Sequence, residues 1–138
     1  MLAHTAGRTP NIRPRLVVED VDATIAYYER FLGAASGPRY AEPSGLVVHA
    51  EVRIGDSTIS LTQAYDDYRL YSPESAASSP VLLTLTVADS SAVGAAMVEG
   101  GATVIVSIED RPWGKREGRI RDPFGHLWVI SQDLTPAS

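Results

Sequence analysis

The stretch PWGKREGRIRDPFGHLWVIS, residues 112–131, carries the clearest structural signal in the sequence. Charged side chains alternate with small or apolar ones over Glu117–Arg121, which predicts a strand, and β-forming residues predict another over His126–Ile130. Between them, the Asp-Pro-Phe-Gly run at 122–125 predicts a turn, because Asp can bond its own backbone, Pro fixes φ and Gly accepts a positive φ. The stretch therefore predicts a strand, a tight turn and a return strand.

Outward from this stretch, the same order of elements occurs twice. Apolar periodicity and turn residues predict strand, helix and three strands, then a polar connection, then the same series again. The predicted elements are, in order, at residues 13–18, 23–32, 39–41, 46–54, 57–63, 81–87, 89–99, 103–108, 117–121 and 126–130. The Leu-x-Val-x-Asp motif at 16–20 is repeated at 85–89, so the spacing supports an internal repeat. We predict a first module at 13–63, a linker at 64–80 and a second module at 81–132.

Local signals give each predicted helix a start and a buried face. Asp22 is the predicted N-cap of the first helix, and Asp89 or Ser90 caps the second. Helical spacing predicts Val93, Met97 and Val98 as the buried stripe of the second helix.

Composition excludes several classes of protein. A net charge of −5 with a pI near 5.1 argues against general nucleic-acid binding, which needs a basic surface. The chain has no cysteine, so disulfides, zinc–thiolate sites and a cysteine nucleophile are excluded. No apolar run approaches the roughly 20 residues that span a bilayer, and residues 1–12 lack the apolar core of a signal peptide. We therefore expect a cytoplasmic protein of one domain, or of two small ones, without a membrane partner.

The two faces of the predicted strands differ in chemistry. One register per strand assigns an apolar, helix-covered face and an opposite face rich in hydroxyl and charged groups. That opposite face carries Arg15, His49, Glu51, Ser60, Thr62, Thr84, Glu117, Arg119, Val129 and Ser131, among others. It is either a flat solvated surface or, if two such sheets curl side by side, the lining of a cup that holds a ligand. Our interpretation favours the cup.

Candidate chemistry within the cup has two readings at each position. His49 and Glu51 are two residues apart on one strand, which puts them about 7 Å apart on the same face. They are either an acid/base pair or an interior polar pair. Trp113 is either a stacking surface for a planar ligand or a lid on the core. Tyr65, Tyr68 and Tyr71 line the mouth of the cup or pack a linker.

The arginines and histidines also leave alternatives open. Three arginines, Arg15, Arg119 and Arg121, either receive an anionic or carbonyl group or pair with Glu51 and Glu117. His126 belongs to the turn and faces away from the cup in this register.

LVVEDVDATIAYYERFLGA, residues 16–34, and the closing stretch at 112–131 together resemble the vicinal oxygen chelate superfamily. The Trp-Gly loop and the Asp-Pro-Phe-Gly-His turn are similar to its PhnB-like and bleomycin-resistance-like branches. The resemblance covers about residues 13–132. It implies an α+β fold of two βαβββ modules, paired half-barrels around a concave cleft, and often a homodimer with exchanged modules.

The same resemblance implies where a metal would bind. Metal-dependent relatives, such as glyoxalase I and the extradiol dioxygenases, use His, Gln or Glu at four inward strand positions. These fall here on Arg13, Ser60, Leu82 and Val129, which do not form a ligand set for a divalent ion. We therefore predict no metal and no cofactor.

Two functional hypotheses remain. The first is a metal-independent protein that binds a small molecule, with an antibiotic among the candidates. The second is a metal-independent isomerase or lyase with His49 or Glu51 as its base; a metal-dependent glyoxalase or dioxygenase ranks below both. The predicted ligand-binding residues are Arg15, His49, Glu51, Ser60, Thr62, Tyr65, Thr84, Trp113, Arg119 and Val129. The sequence does not identify the ligand, nor whether the modules pair within one chain or between two.

Overall fold

The computed structural model describes residues 9–73 and 79–134. Its elements alternate in the predicted order. They are β1 (Arg15–Val18), α1 (Val21–Phe31), β2 (Ala35–Ala41), β3 (Val47–Ile54), β4 (Ser57–Gln63), β5 (Leu82–Thr86), α2 (Ser90–Glu99), β6 (Thr103–Asp110), β7 (Lys115–Arg121) and β8 (Leu127–Asp133). The predicted α+β fold, with two βαβββ units, is confirmed. The domain bounds 13–63 and 81–132 stay a prediction.

Each unit forms its own four-stranded sheet. The strand orders are β1-β4-β3-β2 and β5-β8-β7-β6, and the described strands do not close into a barrel. In both sheets the first strand lies parallel to the last: Arg15 faces Ser60 in one, and Thr84 faces Val129 in the other. The internal repeat expected from the Leu-x-Val-x-Asp motifs is therefore a repeat of topology and of register.

The start of α1 differs from the prediction. Asp20, not Asp22, is the N-cap: its backbone is extended and its Oδ1 accepts from the Ala23 amide at 3.0 Å. Asp22 lies in the first turn, where it forms a two-point ion pair with Arg39 of β2. Both aspartates are plausible caps by residue type, so the sequence pattern alone placed the start two residues late.

The buried face of α2 also differs in part. Asp89 caps this helix as predicted, and Met97 is fully buried. The prediction of Val98 was wrong, since its side chain is 40% exposed. The face that meets the sheet runs through Ser90, Gly94 and Met97, spaced by four and three residues, and Val98 lies about 100° around the helix from Met97. Neither α1 nor α2 is long and apolar enough to cross a membrane.

A single core joins the two units. The Tyr27 hydroxyl of α1 donates to the Met97 carbonyl of α2 at 2.6 Å. The neighbouring Tyr28 hydroxyl donates to Asp122 Oδ2 at 2.5 Å, and that same oxygen accepts from Trp128 Nε1 at 2.9 Å. His126 Nε2 donates to the Val17 carbonyl at 2.9 Å, which ties the turn after β7 to β1. Hydrogen bonds as well as apolar packing therefore hold the units together.

The outer strand of the second sheet is irregular. β6 shifts register against β7 between Val104 and Glu109. At this bulge the β6 backbone crosses directly over Gly118, and a Cβ there would lie 2.7 Å from the Ile108 amide nitrogen. β6 ends two residues later than predicted, and the close approach of its backbone leaves no room for a side chain at position 118.

Candidate functional site

A continuous chain of hydrogen bonds crosses the helix-free face of the first sheet. Arg15 Nε donates to Ser60 Oγ at 3.1 Å, and Arg15 Nη2 donates to His49 Nδ1 at 3.0 Å. His49 Nε2 lies 2.9 Å from Glu51 Oε2. We call these four side chains, from β1, β3 and β4, the Arg15–Glu51 chain. The fold places them together because β4 lies between β1 and β3, with Ser60 opposite both Arg15 and Glu51.

The Arg15–Glu51 chain lies on a hydroxyl-bearing floor. Ser60 and Thr62 of β4 are buried, whereas about a third of the His49 and Glu51 side chains is exposed. The Arg15–Glu51 chain is thus anchored at the buried Ser60 and exposed to solvent at His49 and Glu51. A ligand above it would meet Glu51 Oε1 and the remaining Arg15 N–H groups, which have no partner among residues 9–73 and 79–134.

The second sheet carries a pocket of about 300 Å³ on its helix-free face. The lining residues are Val106, Arg111, Trp113, Glu117, Gly118, Arg119 and Val129. Trp113 is 62% exposed, and Arg119 is exposed without a hydrogen-bond or ion-pair partner in the described part of the chain. An indole face and an unpaired guanidinium therefore border the same small cavity, which we call the Trp113 pocket.

Two residues that support the Trp113 pocket, Arg111 and Glu117, were missing from the predicted ligand-binding residues, although the strand register had placed Glu117 on the same face as Arg119. Arg111 donates from Nε to the Glu117 carbonyl at 3.1 Å and from Nη2 to the Ser107 carbonyl, so it fixes the loop that carries Trp113. Glu117 is held in turn by the hydroxyl of Ser131, which donates to its Oε1 at 2.8 Å. Arg111 offered one signal, as a charged residue directly before the Pro-Trp-Gly loop, but its contacts depend on the β6 bulge.

The other predicted residues lie in different places. Thr84 is exposed on β5 and pairs in register with Val129, beside the Trp113 pocket. Tyr65 lies apart from both clusters. Its ring packs at 4.9 Å against Tyr68, and it lines a separate pocket with Asp66 and Asp67. The structure thus groups the predicted strand residues in two clusters, one on each sheet, and separates the linker tyrosine from both.

The side chains present do not fit a divalent metal. Arg13 precedes β1, and the residue that faces Ser60 is Arg15. Thr84 faces Val129, with Leu82 two residues earlier on the same side of β5. Either choice supplies guanidinium, hydroxyl and aliphatic groups, which are not a ligand set for a divalent ion. Within residues 9–73 and 79–134 no group of three or more His, Cys, Asp or Glu side chains lies close enough to hold a metal.

The family assignment rests on two comparisons of sequence. The family model for the glyoxalase/bleomycin resistance protein/dioxygenase superfamily matches residues 2–130. Uncharacterised proteins of Mycobacterium bovis and Mycobacterium tuberculosis are 35% identical over 128 residues, which cover 91% of this chain and 84% and 75% of those proteins. The chain therefore belongs to the glyoxalase/bleomycin resistance protein/dioxygenase superfamily.

Solved structures agree with this assignment at the level of the fold. A glyoxalase family protein from Bacillus cereus superposes with a TM-score of 0.75 at 18% identity, covering 94% of this chain and 99% of that one. TioX from Micromonospora sp. ML1 gives a TM-score of 0.66 at 21% identity, with 94% and 100% covered. A Bacillus cereus PhnB protein, described as a putative 3-demethylubiquinone-9 3-methyltransferase, gives 0.68 at 13% identity, with 89% and 99% covered. At these identities the likeness shows the fold alone.

Proposed function

We propose that the chain is a metal-independent small-molecule binding protein of the glyoxalase/bleomycin-resistance type. The observation that carries the proposal is the Arg15–Glu51 chain: its hydrogen-bonding network includes Ser60, one of the four positions where metal-dependent relatives would hold an ion, and leaves polar atoms open to solvent. The ligand is a planar compound, with aromatic antibiotics as the first class to test. It lies on the helix-free faces, with Trp113 as the stacking surface and Arg119 as the partner of an anionic or carbonyl group.

Isothermal titration against a panel of glycopeptide and aromatic antibiotics tests the proposal. We expect at least one compound to bind with one ligand per site, and metal analysis of the purified protein to find no stoichiometric divalent ion. Absence of binding across the panel, together with turnover of some metabolite, would sink the proposal. A stoichiometric metal would restore the glyoxalase-like reading.

The contribution of Trp113 can be measured with a matched pair of variants. Trp113→Leu removes the exposed indole and should weaken binding of a planar compound about tenfold, since ring pairs contribute up to about 1.5 kcal/mol beyond area burial. Tyr68→Leu removes a ring that is 52% accessible, beside Tyr65 and apart from both clusters, and should leave affinity unchanged. Equal losses in both variants would mean that the ligand does not stack on Trp113.

The second candidate function is a metal-independent isomerase or lyase. The 2.9 Å contact between His49 and Glu51 favours it, because catalytic bases are commonly oriented by a second polar side chain. Substitution of both residues by Ala should then abolish turnover of an identified substrate without unfolding the protein. Activity that survives the double substitution excludes this pair as the base.

We further propose a cytoplasmic homodimer. Three consecutive aliphatic residues, Val104, Ile105 and Val106, are between 38% and 48% exposed on the outer strand β6, and such a run favours contact with another chain. The absence of cysteine fits a reducing compartment. Sedimentation equilibrium should give twice the chain mass of 14.8 kDa, and Ile105→Lys should shift the protein toward the monomer.

A further inference from the structure

The contacts of His49 determine which of its ring nitrogens carries the proton. Arg15 is always protonated and its guanidinium has only N–H donors, so the His49 Nδ1 that it approaches at 3.0 Å must be the acceptor. The proton of the neutral ring is then on Nε2, which donates to Glu51 Oε2 at 2.9 Å. Both nitrogens of His49 are therefore engaged within the protein.

Glu51, by contrast, can accept further hydrogen bonds. His49 occupies one carboxylate oxygen, while Oε1 has no hydrogen-bond partner in the described part of the chain and the side chain is 30% exposed. An ionised carboxylate accepts hydrogen bonds and donates none. The Glu51 end of the Arg15–Glu51 chain therefore offers the Oε1 atom as an acceptor to any ligand above it.

We infer that His49 is a positioning residue held as its Nε2–H tautomer by Arg15, and that Glu51 is the ligand-contacting group, selecting compounds with a hydroxyl or amine donor. The second half of this inference rests on the proposed binding function, whereas the first half concerns the free protein. A hydroxylated aromatic supplies such a donor to Glu51.

The tautomer is tested directly by nitrogen NMR of the full chain with labelled histidine at pH 8. The His49 signal, assigned by its loss in His49→Asn, should show a protonated Nε2 and an unprotonated Nδ1. Glu51→Leu should keep this preference, because Arg15 still donates to Nδ1, whereas adding Arg15→Met to Glu51→Leu should leave a mixture. Adding Arg13→Met instead, which removes a neighbouring exposed arginine, should not. A protonated Nδ1 in the unsubstituted protein overturns the assignment.

The ligand class is tested with two probes that differ in one donor. We expect 1-naphthol to bind about tenfold more tightly than 1-methoxynaphthalene, equivalent to about 1.4 kcal/mol. In Glu51→Gln the new amide oxygen accepts from His49 and its NH₂ group faces the ligand, so the preference should fall below about threefold. A full preference in Glu51→Gln, or no preference in the unsubstituted protein, overturns the role of Glu51.

Rescue separates positioning from simple support of the fold. His49→Gln keeps an N–H donor that can reach Glu51 and should retain most of the naphthol preference, whereas His49→Leu should lose it at unchanged stability. Equal behaviour of the two variants contradicts the positioning role. If no compound in the antibiotic panel and neither naphthalene probe binds, the proposed function and the ligand class fail together, while the tautomer is still decided by its own measurement.

Discussion

At the scale of single residues, Asp122 is notable because its carboxylate accepts four hydrogen bonds inside the core. Its Oδ1 accepts from the backbone amides of Phe124 and His126, and its Oδ2 accepts from Tyr28 and Trp128. The Asp122 side chain is buried, so if its carboxylate were removed each of these donors would be left without a partner and without water to replace it. A turn residue by sequence, Asp122 is therefore also the polar centre of the core.

Asp122→Asn should be strongly destabilising. An Asn offers one carbonyl oxygen, so its NH₂ group would face either the two amides or the Tyr28 and Trp128 donors. We expect a loss of about 3 kcal/mol in the free energy of unfolding, measured by urea denaturation. Asp56→Asn on the exposed β3–β4 turn is the control and should change stability by less than about 0.5 kcal/mol. A similar small loss for both variants would contradict the role of Asp122.

The same region makes stability fall at alkaline pH. Burial, with the charge of Asp122 adding to it, raises the pKa of Tyr27 to about 12 and raises the pKa of Tyr28 well above its ordinary range. The unfolded chain releases these protons near pH 10 while the folded chain retains them. The folded state then binds more protons, so the free energy of unfolding decreases as pH rises from about 10 to 12.

Denaturation curves at pH 9, 10 and 11 check this dependence. Tyr28→Phe should flatten the decline, since the group that titrates differently in the two states is gone. Tyr71→Phe, which removes a tyrosine that is 63% exposed, should leave the decline unchanged. A decline that is equally steep in all three proteins would assign it to other groups.

At the scale of elements, two glycines allow close packing for different reasons. A Cβ on Gly118 would meet the β6 backbone at Val106 and Ile108, which cannot move without breaking the bulge. A Cβ on Gly94 of α2 would meet the ends of the Ile108 and Ile120 side chains, which can adjust more easily than backbone, and Ala has a helix propensity about 1 kcal/mol better than Gly.

Gly118→Ala should therefore cost more than Gly94→Ala. We expect a loss of about 2 kcal/mol or more for Gly118→Ala and less than about 1 kcal/mol for Gly94→Ala, by urea denaturation. Because Gly118 also lines the Trp113 pocket, its substitution should weaken binding of planar compounds as well. The reverse order of stabilities would show that the bulge can relax.

The same elements show what the sequence could predict. Alternation and turn residues located all eight strands and both helices, and they placed Arg15, His49, Glu51 and Ser60 on one face, because these signals are local. The bulge in β6 and the loop contacts of Arg111 have no such signal, since they depend on where a neighbouring strand crosses. The start of α1 was misplaced for a third reason: Asp20 and Asp22 are equivalent in type and differ only in backbone conformation.

At the scale of the whole molecule, the two units should unfold together. The contacts Tyr27–Met97, Tyr28–Asp122 and His126–Val17 all join residues of different units, and the buried residues form one cluster. We expect far-ultraviolet circular dichroism and amide NMR signals from β3 and β7 to give coincident urea transitions. Separate transitions for the two strands would mean that each unit is stable alone.

The two indoles have opposite surroundings within one unit. Trp128 is 3% exposed, edge-on to Tyr28 and hydrogen-bonded to Asp122, whereas Trp113 is 62% exposed at the rim of its pocket. Light emitted by Trp128 should therefore be blue-shifted and shielded from dissolved iodide, while that from Trp113 should be red-shifted and readily quenched. The molecule thus carries two intrinsic optical reporters, one for the integrity of its core and one for occupancy of its pocket, which can be separated by colour without any added label.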